Sequence, residues 1–522
     1  MQNNKLKKEK RKNDVFYISL ILTAGILFVS LFFKNGFNAV CEEVLAFILN
    51  SFGWFYLLGV FFIVVAIVYL FFSKYGDIKL GKDDDEPEFS TFSWIAMLFA
   101  AGMGTGLVFW GVAEPLSLYY DPPPLGHITP QTVEAATAAI EMSFFHWGIH
   151  PWCVYSLLGI LLAYTQYRKN EKGLISRVFI PIFGRNLING WLGKLIDICT
   201  VVATIAGLVT TLGLCTLQIS RGLHYLYGIE ISDFLIFAII AVITVFYMTS
   251  AIFGLEKGIK TVSNFNLILA IGLLLAIIVI GPTTAIFNTL TNGLGDYLSD
   301  FMKMSLTIEQ FGDNTWTAKW TIFMWATWIA WAPLVATFIA RVSKGRTIKQ
   351  FILGVVLVPS LISMIWFSAF GALGLNVASL VGDAAVNDPA LTLFMVLSHY
   401  PLGRILSFIS ILLLTTFFVT SADSAVFVLG ILTTNGDLNP KMGKKIVWGL
   451  LISGLAFCII RAGGLDLVKN ISIIGAFPFL IFLLISIFAL LRHLYLDRNI
   501  VKKKIIKRII YKDKNISDIE NI

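Results

Sequence analysis

Aromatic rings, rather than acids, carry the chemistry of this sequence. In 144-FFHWGIHPWCVY-155, Trp147, Trp152 and Tyr155 fall within a few turns of one predicted helix, and Pro151 distorts that helix where they gather. In 325-WATWIAWAP-333, Trp325, Trp328 and Trp331 recur every three positions as a ridge, with Pro333 ending the stripe. A single tryptophan in an apolar span commonly marks the headgroup belt. These lie too deep in their spans for all of them to be belt residues. Two deep aromatic clusters with no carboxylate between them suit a quaternary ammonium group, which has no N–H to donate. Such a group is recognised by aromatic faces, each worth about 2 kcal/mol when desolvated. Three or four rings supply most of the roughly 8 kcal/mol of a micromolar complex before other costs. A zwitterionic ligand would need no counter-charge from the protein.

A second feature concerns the backbone. The stretch 99-FAAGMGTGLVFWGVAEPLSLYYDPP-123 begins as an apolar helix yet places Gly102, Gly104 and Gly106 at alternate positions. Each costs about 1 kcal/mol of helix stability relative to Ala, so the helix is predicted to break here. Non-helical backbone at membrane depth is tolerated where it is buried in protein or lines a wet cavity, which points to a bound solute or ion. Close helix packing at small residues is the other use of such spacing. If the break binds a zwitterion, its free amides would meet the carboxylate.

The ionisable residues point less clearly. His146 and His150 stand one turn apart, a spacing able to bind a metal or relay protons, but no third ligand is nearby and satisfied core histidines fit as well. Without the glutamate of HExxH or a nucleophile–base pair, a membrane-embedded enzyme has little support. A channel would call for a ring of carbonyls or charges rather than aromatic rings. Glu114, Glu141 and Asp423 lie at span ends or near the break, where they read as polar pairs or gates.

The elements that must position these residues are membrane spans. With 57% hydrophobic and 14% charged residues in 522, and a mean hydropathy of +0.80, the chain is a polytopic membrane protein rather than a soluble globule. Its net charge of +8 gathers in loops and tails beside apolar spans, which favours topology and anionic lipid over nucleic acid. The five cysteines form neither a disulfide framework nor a CxxC pair. After 5-KLKKEKRK-12, the run 15–33 has no small-residue cleavage site and reads as a retained first helix. Further spans fall near 52–73, 92–115, 141–165, 193–220, 232–252, 263–288, 317–340, 350–373, 404–431, 445–461 and 471–492, about twelve in all.

The loops orient them. Basic residues at Arg168–Arg185, Lys257/Lys260, Arg341–Lys349 and Lys441–Lys445, with both tails, alternate with the loops 116–140 and 374–403, which hold no Lys or Arg. Both termini are therefore expected in the cytoplasm. Segments 291–304 and 390–400 are apolar on one face and too short or too polar to cross, so they are expected at the outer surface. The acidic loop 74–90, with 83-DDDEPE-88, reads as a solvated linker. The tail 501-VKKKIIKRIIYKDKN-515 alternates basic clusters with isoleucines, a pattern suited to an anionic leaflet and equally to a topogenic charge cluster.

Five blocks taken together carry a resemblance: 101–116 (AGMGTGLVFWGVAEPL), 146–159 (HWGIHPWCVYSLLG), 254–264 (GLEKGIKTVSN), 325–360 and 418–433 (FVTSADSAVFVLGILT). On these the chain resembles the betaine/choline/carnitine transporter family over nearly its whole length. The resemblance implies an all-α polytopic membrane protein of about twelve transmembrane helices. Two extra helices would precede a LeuT-type core of two inverted five-helix repeats, in a homotrimer. The chain would divide into a basic tail 1–14, two peripheral helices and the acidic loop 15–90, a first repeat 91–290, an amphipathic surface helix and loop 291–316, a second repeat 317–493, and a basic tail 494–522.

The implied activity is secondary active transport, with no enzymatic step and no organic cofactor. A multi-pass protein of the cell membrane would import a quaternary-ammonium compatible solute, glycine betaine foremost, by sodium symport with alternating access, as an osmoprotectant. Choline, carnitine or a related betaine is the alternative cargo, and proton coupling or sodium-independent exchange the alternative mechanism. By matching position the aromatic box falls on Trp147, Trp152, Tyr155 and Trp328, with Trp331 on the inward path and Gly102, Met103, Gly104 and Gly106 beside the substrate. One departure is Thr327, where many members have a further tryptophan. The sodium pocket falls on the carbonyls near Ala100 and Met103 with Phe417, Thr420 and Ser421. Such hydroxyls provide the oxygens that sodium prefers, or else bond back to their own helix. A second family site matches at Thr204 but meets Leu208 one turn on. Sodium-independent exchangers place an arginine in the seventh span, and this chain has Asn266 there. Choline-preferring members tend to carry Asp where this chain has Gly106, which tilts the cargo towards a zwitterion. The family links its C-terminal tail to osmotic sensing, so the tail here is expected to meet anionic lipid.

Overall fold

The computed structural model describes the backbone of residues 2–102, 104–124, 126–253, 256–309 and 314–519. It describes the side chains of the same segments except 2–13, 99–102, 253, 256–260, 384–385 and 498–519. Met103 therefore lies outside the described residues, as do the side chains of Ala100, Gly102 and the C-terminal tail. Among the described residues the protein is helical throughout, with one isolated bridge between Lys79 and Thr347.

The principal helices are α1 (Gln2–Phe32), α2 (Lys34–Phe72), α3 (Thr91–Gly102), α4 (Thr105–Tyr120), α5 (Val133–Trp147), α6 (Ile149–Ala163), α7 (Ile180–Asn189), α8 (Trp191–Tyr227), α9 (Asp233–Phe253), α10 (Glu256–Ile280), α11 (Thr283–Ser299), α12 (Phe323–Val342), α13 (Val358–Asn376), α14 (Pro389–Ser398), α15 (Gly403–Thr433) and α16 (Met442–Ile519). Ten continuous segments among the described residues are long and apolar enough to cross a bilayer. Two predicted spans are concealed in that number. The segment 91–120 is divided between α3 and α4, so neither half has the length of a span. At the other end of the chain, Met442–Asp497 runs for 56 residues. At about 1.5 Å per residue this far exceeds a hydrocarbon core of about 30 Å. It is interrupted at Gly463 and Gly464, the latter at φ 58°, ψ −140°, a conformation open to glycine and costly to other residues. The two predicted spans 445–461 and 471–492 lie on either side of that interruption.

Burial sorts the helices. The segment Val133–Arg168 is buried over 94% of its apolar stretch, whereas Thr261–Ile280 is buried over 22%. A helix that is apolar all round and enclosed belongs at the centre of a membrane bundle, and one with apolar side chains exposed belongs at its lipid face. On this reading α4, α5, α6 and the middle of α8 form the interior. Helices α1, α9 and α10 form the rim, with Phe234 and Val279 outward.

Two boundaries and the setting of two further segments differ from the sequence reading. The predicted distortion at Pro151 is a break at Gly148 (φ −92°, ψ −130°), and Pro151 sits in the first turn of α6, where its missing N–H leaves no bond unmade. A Cβ at Gly148 would stand 2.5 Å from the Phe144 carbonyl oxygen and 2.8 Å from Met364 Cε, so the close approach fixes the break at glycine. The predicted span 263–288 ends at Ile280, where Gly281–Pro282 stops the helix. The acidic loop exposes its carboxylates apart from the half-buried Asp85, but its backbone is docked: Leu80 N–H donates to the Arg346 carbonyl (2.8 Å) and Gly345 N–H to that of Leu80 (3.0 Å). The Arg346 guanidinium lies 4.0 Å from the Trp94 ring centroid, completing the anchor. Helix α14, within the predicted surface segment 390–400, is too short to cross and has most of its side chains buried.

Candidate functional site

The glycine-rich stretch is broken as its composition predicts. Gly104 is extended (φ −160°, ψ 179°) and caps α4 without a side-chain hydrogen bond. The two described glycines of the motif differ in their surroundings. Nothing lies within 4 Å of where a Cβ on Gly104 would be, whereas one on Gly106 would meet Trp147 Cη2 at 2.7 Å and Cζ3 at 3.2 Å. Gly104 thus opens the backbone, and Gly106 admits an indole against it. Any side chain at position 106, an aspartate included, meets Trp147 first.

Trp147 belongs to a ring cluster that the structure assembles from two parts of the chain. Its centroid is 5.1 Å from that of Trp328, and Trp328 is 5.4 Å from Tyr155 and 6.4 Å from Trp152. Trp152 and Tyr155 stand 5.4 Å apart. The pairs are edge-to-face or tilted, so the rings present walls at steep angles to one another rather than a flat stack. Trp147, Trp152 and Tyr155 are buried, while Trp328 is half-buried on a helix whose neighbouring residues are mostly enclosed. Phe367 of α13 extends the wall at 5.2 Å from Trp147.

The tryptophan ridge of α12 does not act as one face. Successive residues three apart rotate by about 60° around a helix of 3.6 residues per turn, so three of them fan over about 120°. Trp325 packs on Phe145 (5.0 Å) and His150 (5.6 Å), and Trp328 faces the cluster. Trp331 turns to α8, donating to the Gly207 carbonyl (3.2 Å) and Thr211 Oγ1 (2.9 Å), and makes no ring contact with the cluster.

The aromatic segments were read as having no carboxylate between them, yet a buried one, brought in by α4, holds the cluster in place. Glu114 accepts from Trp147 Nε1 (2.7 Å) through one oxygen and pairs with His146 Nδ1 (2.6 Å) through the other. The geometry assigns the proton to His146 Nδ1, leaving Nε2 to accept from the Thr321 hydroxyl at 3.1 Å. The break at Gly148 also frees the last carbonyls of α5, and that of His146 accepts from Trp328 Nε1 at 3.0 Å. Glu114 and the main chain of His146 thereby fix two of the four indole and phenol rings. Glu114 was visible in the sequence as a carboxylate near the break, but its partners on a different helix were not. His150 is satisfied by Ser305 (2.7 Å) and Tyr297 (3.3 Å), between the rings of Phe301 and Trp325. Trp152 Nε1 is the exception: it is buried and has no hydrogen-bond partner.

The hydroxyls on α15 are half-buried. The Thr420 hydroxyl donates to the carbonyls of Phe417 (3.0 Å) and Thr416 (3.1 Å), which leaves its lone pairs free. Phe417 is buried. Thr204 donates to its own helix at Thr200 (2.8 Å), and Leu208 is buried beside it. Thr327 does likewise at Phe323 (2.9 Å). Asn266 is buried with both side-chain polar atoms unpartnered. Among the described residues no three His, Cys, Asp or Glu gather as a metal site, so any cation held here would rest on neutral oxygens.

Comparison with known proteins gives this geometry a context. Residues 14–499 match the model of the betaine/carnitine/choline family of transporters. The glycine betaine transporter OpuD of Bacillus subtilis strain 168 is 42% identical over 498 residues, covering 95% of this chain and 96% of its own length. The ectoine/hydroxyectoine transporter of Virgibacillus pantothenticus is 42% identical over 493 residues, 94% and 98% of the two chains. A probable glycine betaine transporter of Desulfitobacterium hafniense is 41% identical over 496 residues, 94% and 99%.

Proposed function

The chain belongs to the betaine/carnitine/choline family of transporters, multi-pass membrane proteins rather than enzymes, and we propose that it imports a zwitterionic compatible solute, glycine betaine foremost, by sodium symport. The observation that carries this reading is the cluster of Trp147, Trp152, Tyr155 and Trp328 in the buried centre of the bundle. Its ring faces suit a trimethylammonium head, and the nearby carboxylate of Glu114 is already engaged by Trp147 and His146. The solute's own carboxylate has two partners available: the uncapped start of α4 at Gly104, and Trp152 Nε1, a buried donor without a partner. An unmet buried donor costs about 1–3 kcal/mol, which a bound carboxylate would recover. The relative named for ectoine and hydroxyectoine supports a second cargo, a cyclic zwitterion with the same separation of cationic and anionic ends.

For coupling, carbonyls near Ala100 and Met103 with Phe417, Thr420 and Ser421 would hold sodium, and Asn266 in place of a cation argues against sodium-free exchange. The repeats 91–290 and 317–493 would rock against one another to alternate access. The protein would sit in the cell membrane as a homotrimer with both termini cytoplasmic and the tail 494–522 against anionic lipid. The test is binding and proteoliposome uptake of glycine betaine, ectoine, choline and carnitine, each with sodium or potassium. Saturable, sodium-dependent uptake of a zwitterion is expected. Uptake running equally in potassium or on a proton gradient would replace symport, and preference for choline would replace the zwitterion.

A further inference from the structure

Lys469 lies in α16, five residues beyond Gly464, and is buried at 8% exposure. Among the described residues no carboxylate comes within ion-pair distance of it. Its ammonium instead faces three rings: Trp110 (5.1 Å to the centroid), Phe323 (5.2 Å) and Trp320 (5.3 Å). The rings also pack on one another, Trp110 at 5.9 Å from each of the other two. A buried cation without a counter-ion is costly, and three ring faces are the means by which this one is accommodated. The charged groups that act on it are Asp466, exposed on its own helix, and Lys319 and Glu114 from other elements.

The position of this second cage is informative. Trp110 is one turn beyond Gly106 on α4, and Phe323 is five residues before Trp328 on α12. From the cage, α4 and the segment 315–322 that leads into α12 run towards one end of the bundle, where Trp316 Nε1 donates to the Asp121 carbonyl (2.9 Å) and Lys319 pairs with Asp121 (2.8 Å). That end belongs to the loop 116–140, which holds no Lys or Arg and is read as external. A fixed positive charge thus stands between the outer end and the ring cluster.

We propose that Lys469 is a charge filter: its ammonium, seated on Trp110, Trp320 and Phe323 beside the outer approach to the ring cluster, disfavours solutes of net positive charge and confines the carrier to zwitterions. This rests on the proposed function and adds a determinant to it. Lys469 subtracts from the attraction that the Glu114 carboxylate offers a net cation such as choline, whereas in glycine betaine the carboxylate offsets the head. With a separation of about 11 Å, from about 1.5 Å of helix rise per residue and the width of the side chains, and an effective dielectric constant of about 20, the discrimination is roughly tenfold.

The experiment is competition between glycine betaine and choline for the purified full-length protein, unaltered and as Lys469→Gln, Lys469→Met and Lys469→Arg. In the unaltered protein choline is expected to bind at least about tenfold more weakly than glycine betaine. The neutral variants should narrow that ratio by roughly tenfold, and Lys469→Arg should preserve it. Equal binding of the two solutes by the unaltered protein overturns the filter even if no variant folds. An unchanged ratio in a folded neutral variant overturns it as well. Failure of the unaltered protein to bind any zwitterion would instead remove the proposed function.

Discussion

Gly104 and Gly106 are the same residue type two positions apart, yet the structure assigns them opposite sensitivities. A methyl group on Gly106 would stand 2.7 Å from Trp147 Cη2 and 3.2 Å from Cζ3, so restoring an ordinary carbon–carbon contact of about 3.5–4 Å displaces the ring by roughly 1 Å. Trp147 cannot simply swing away. Its Nε1 is bonded to Glu114 at 2.7 Å, and its faces are bounded by Trp328 at 5.1 Å and Phe367 at 5.2 Å. The displacement must spread into the cluster or break the Glu114 bond. Losing half or all of one ring's contribution of about 2 kcal/mol lowers affinity for a methylated ammonium by roughly 5- to 30-fold. Helix propensity acts the other way, since Ala is favoured over Gly by about 1 kcal/mol within a helix, so a general loss of fold is not the expected cause. Gly104→Ala is the matched control: its φ of −160° is open to any residue and nothing lies within 4 Å. Calorimetric titration of glycine betaine into both variants measures the difference. The double variant Gly106→Ala/Trp147→Phe, lacking the Cη2 that clashes, should lose less than the sum of its parts. Equal affinities for Gly106→Ala and the unaltered protein, or equal damage from both alanines, would refute the close approach of Trp147 to Gly106 as the determinant.

Further outcomes follow from the same contacts. Trp328 touches all three other rings, so Trp328→Leu, which keeps apolar bulk but removes the quadrupole, should weaken binding about tenfold or more; titration of the folded variant with unchanged affinity would exclude the cluster as the ammonium site. Glu114→Gln places an amide N–H₂ against either His146 or Trp147, and the lost charge-assisted bonds should cost about 1–3 kcal/mol, read as a lowered apparent melting temperature with weakened binding. Thr420→Val with Ser421→Ala removes two hydroxyl oxygens while keeping shape, and the sodium concentration for half-maximal uptake should rise steeply. Truncation after Asn499 should alter activation by osmotic upshift or anionic-lipid content if the tail engages lipid, whereas identical profiles at equal expression would reduce it to an orientation signal.

What the sequence disclosed was local, and what it hid depended on which helices face one another. The break in 99–123, the spans and the aromatic pair of segments all follow from composition and short-range spacing, and the structure places a non-helical Gly104 and a ring cluster where those signals fall. The different duties of Gly104 and Gly106 were not legible, because they are set by an indole some forty residues away. The tryptophan stripe 325–331 reads as one ridge only while its helix is considered alone. Once α5, α6 and α8 surround it, a 60° step is enough to give each ring a different neighbour. Pro151 was the conspicuous breaker in its segment, but the tight approach of Met364 puts the break at Gly148. Lys469 gave the least warning of all, since a lone lysine near a glycine pair resembles any loop-proximal charge. Its burial against Trp110, Trp320 and Phe323 joins three separate regions of the chain. The same physics then appears twice in one molecule, a cation held by aromatic faces, once by a tethered ammonium and once, in the proposed function, by the cargo. A protein that accommodates its own charge in this way would make the adjoining approach selective, while the carboxylate of the cluster itself, Glu114, stays engaged by Trp147 and His146.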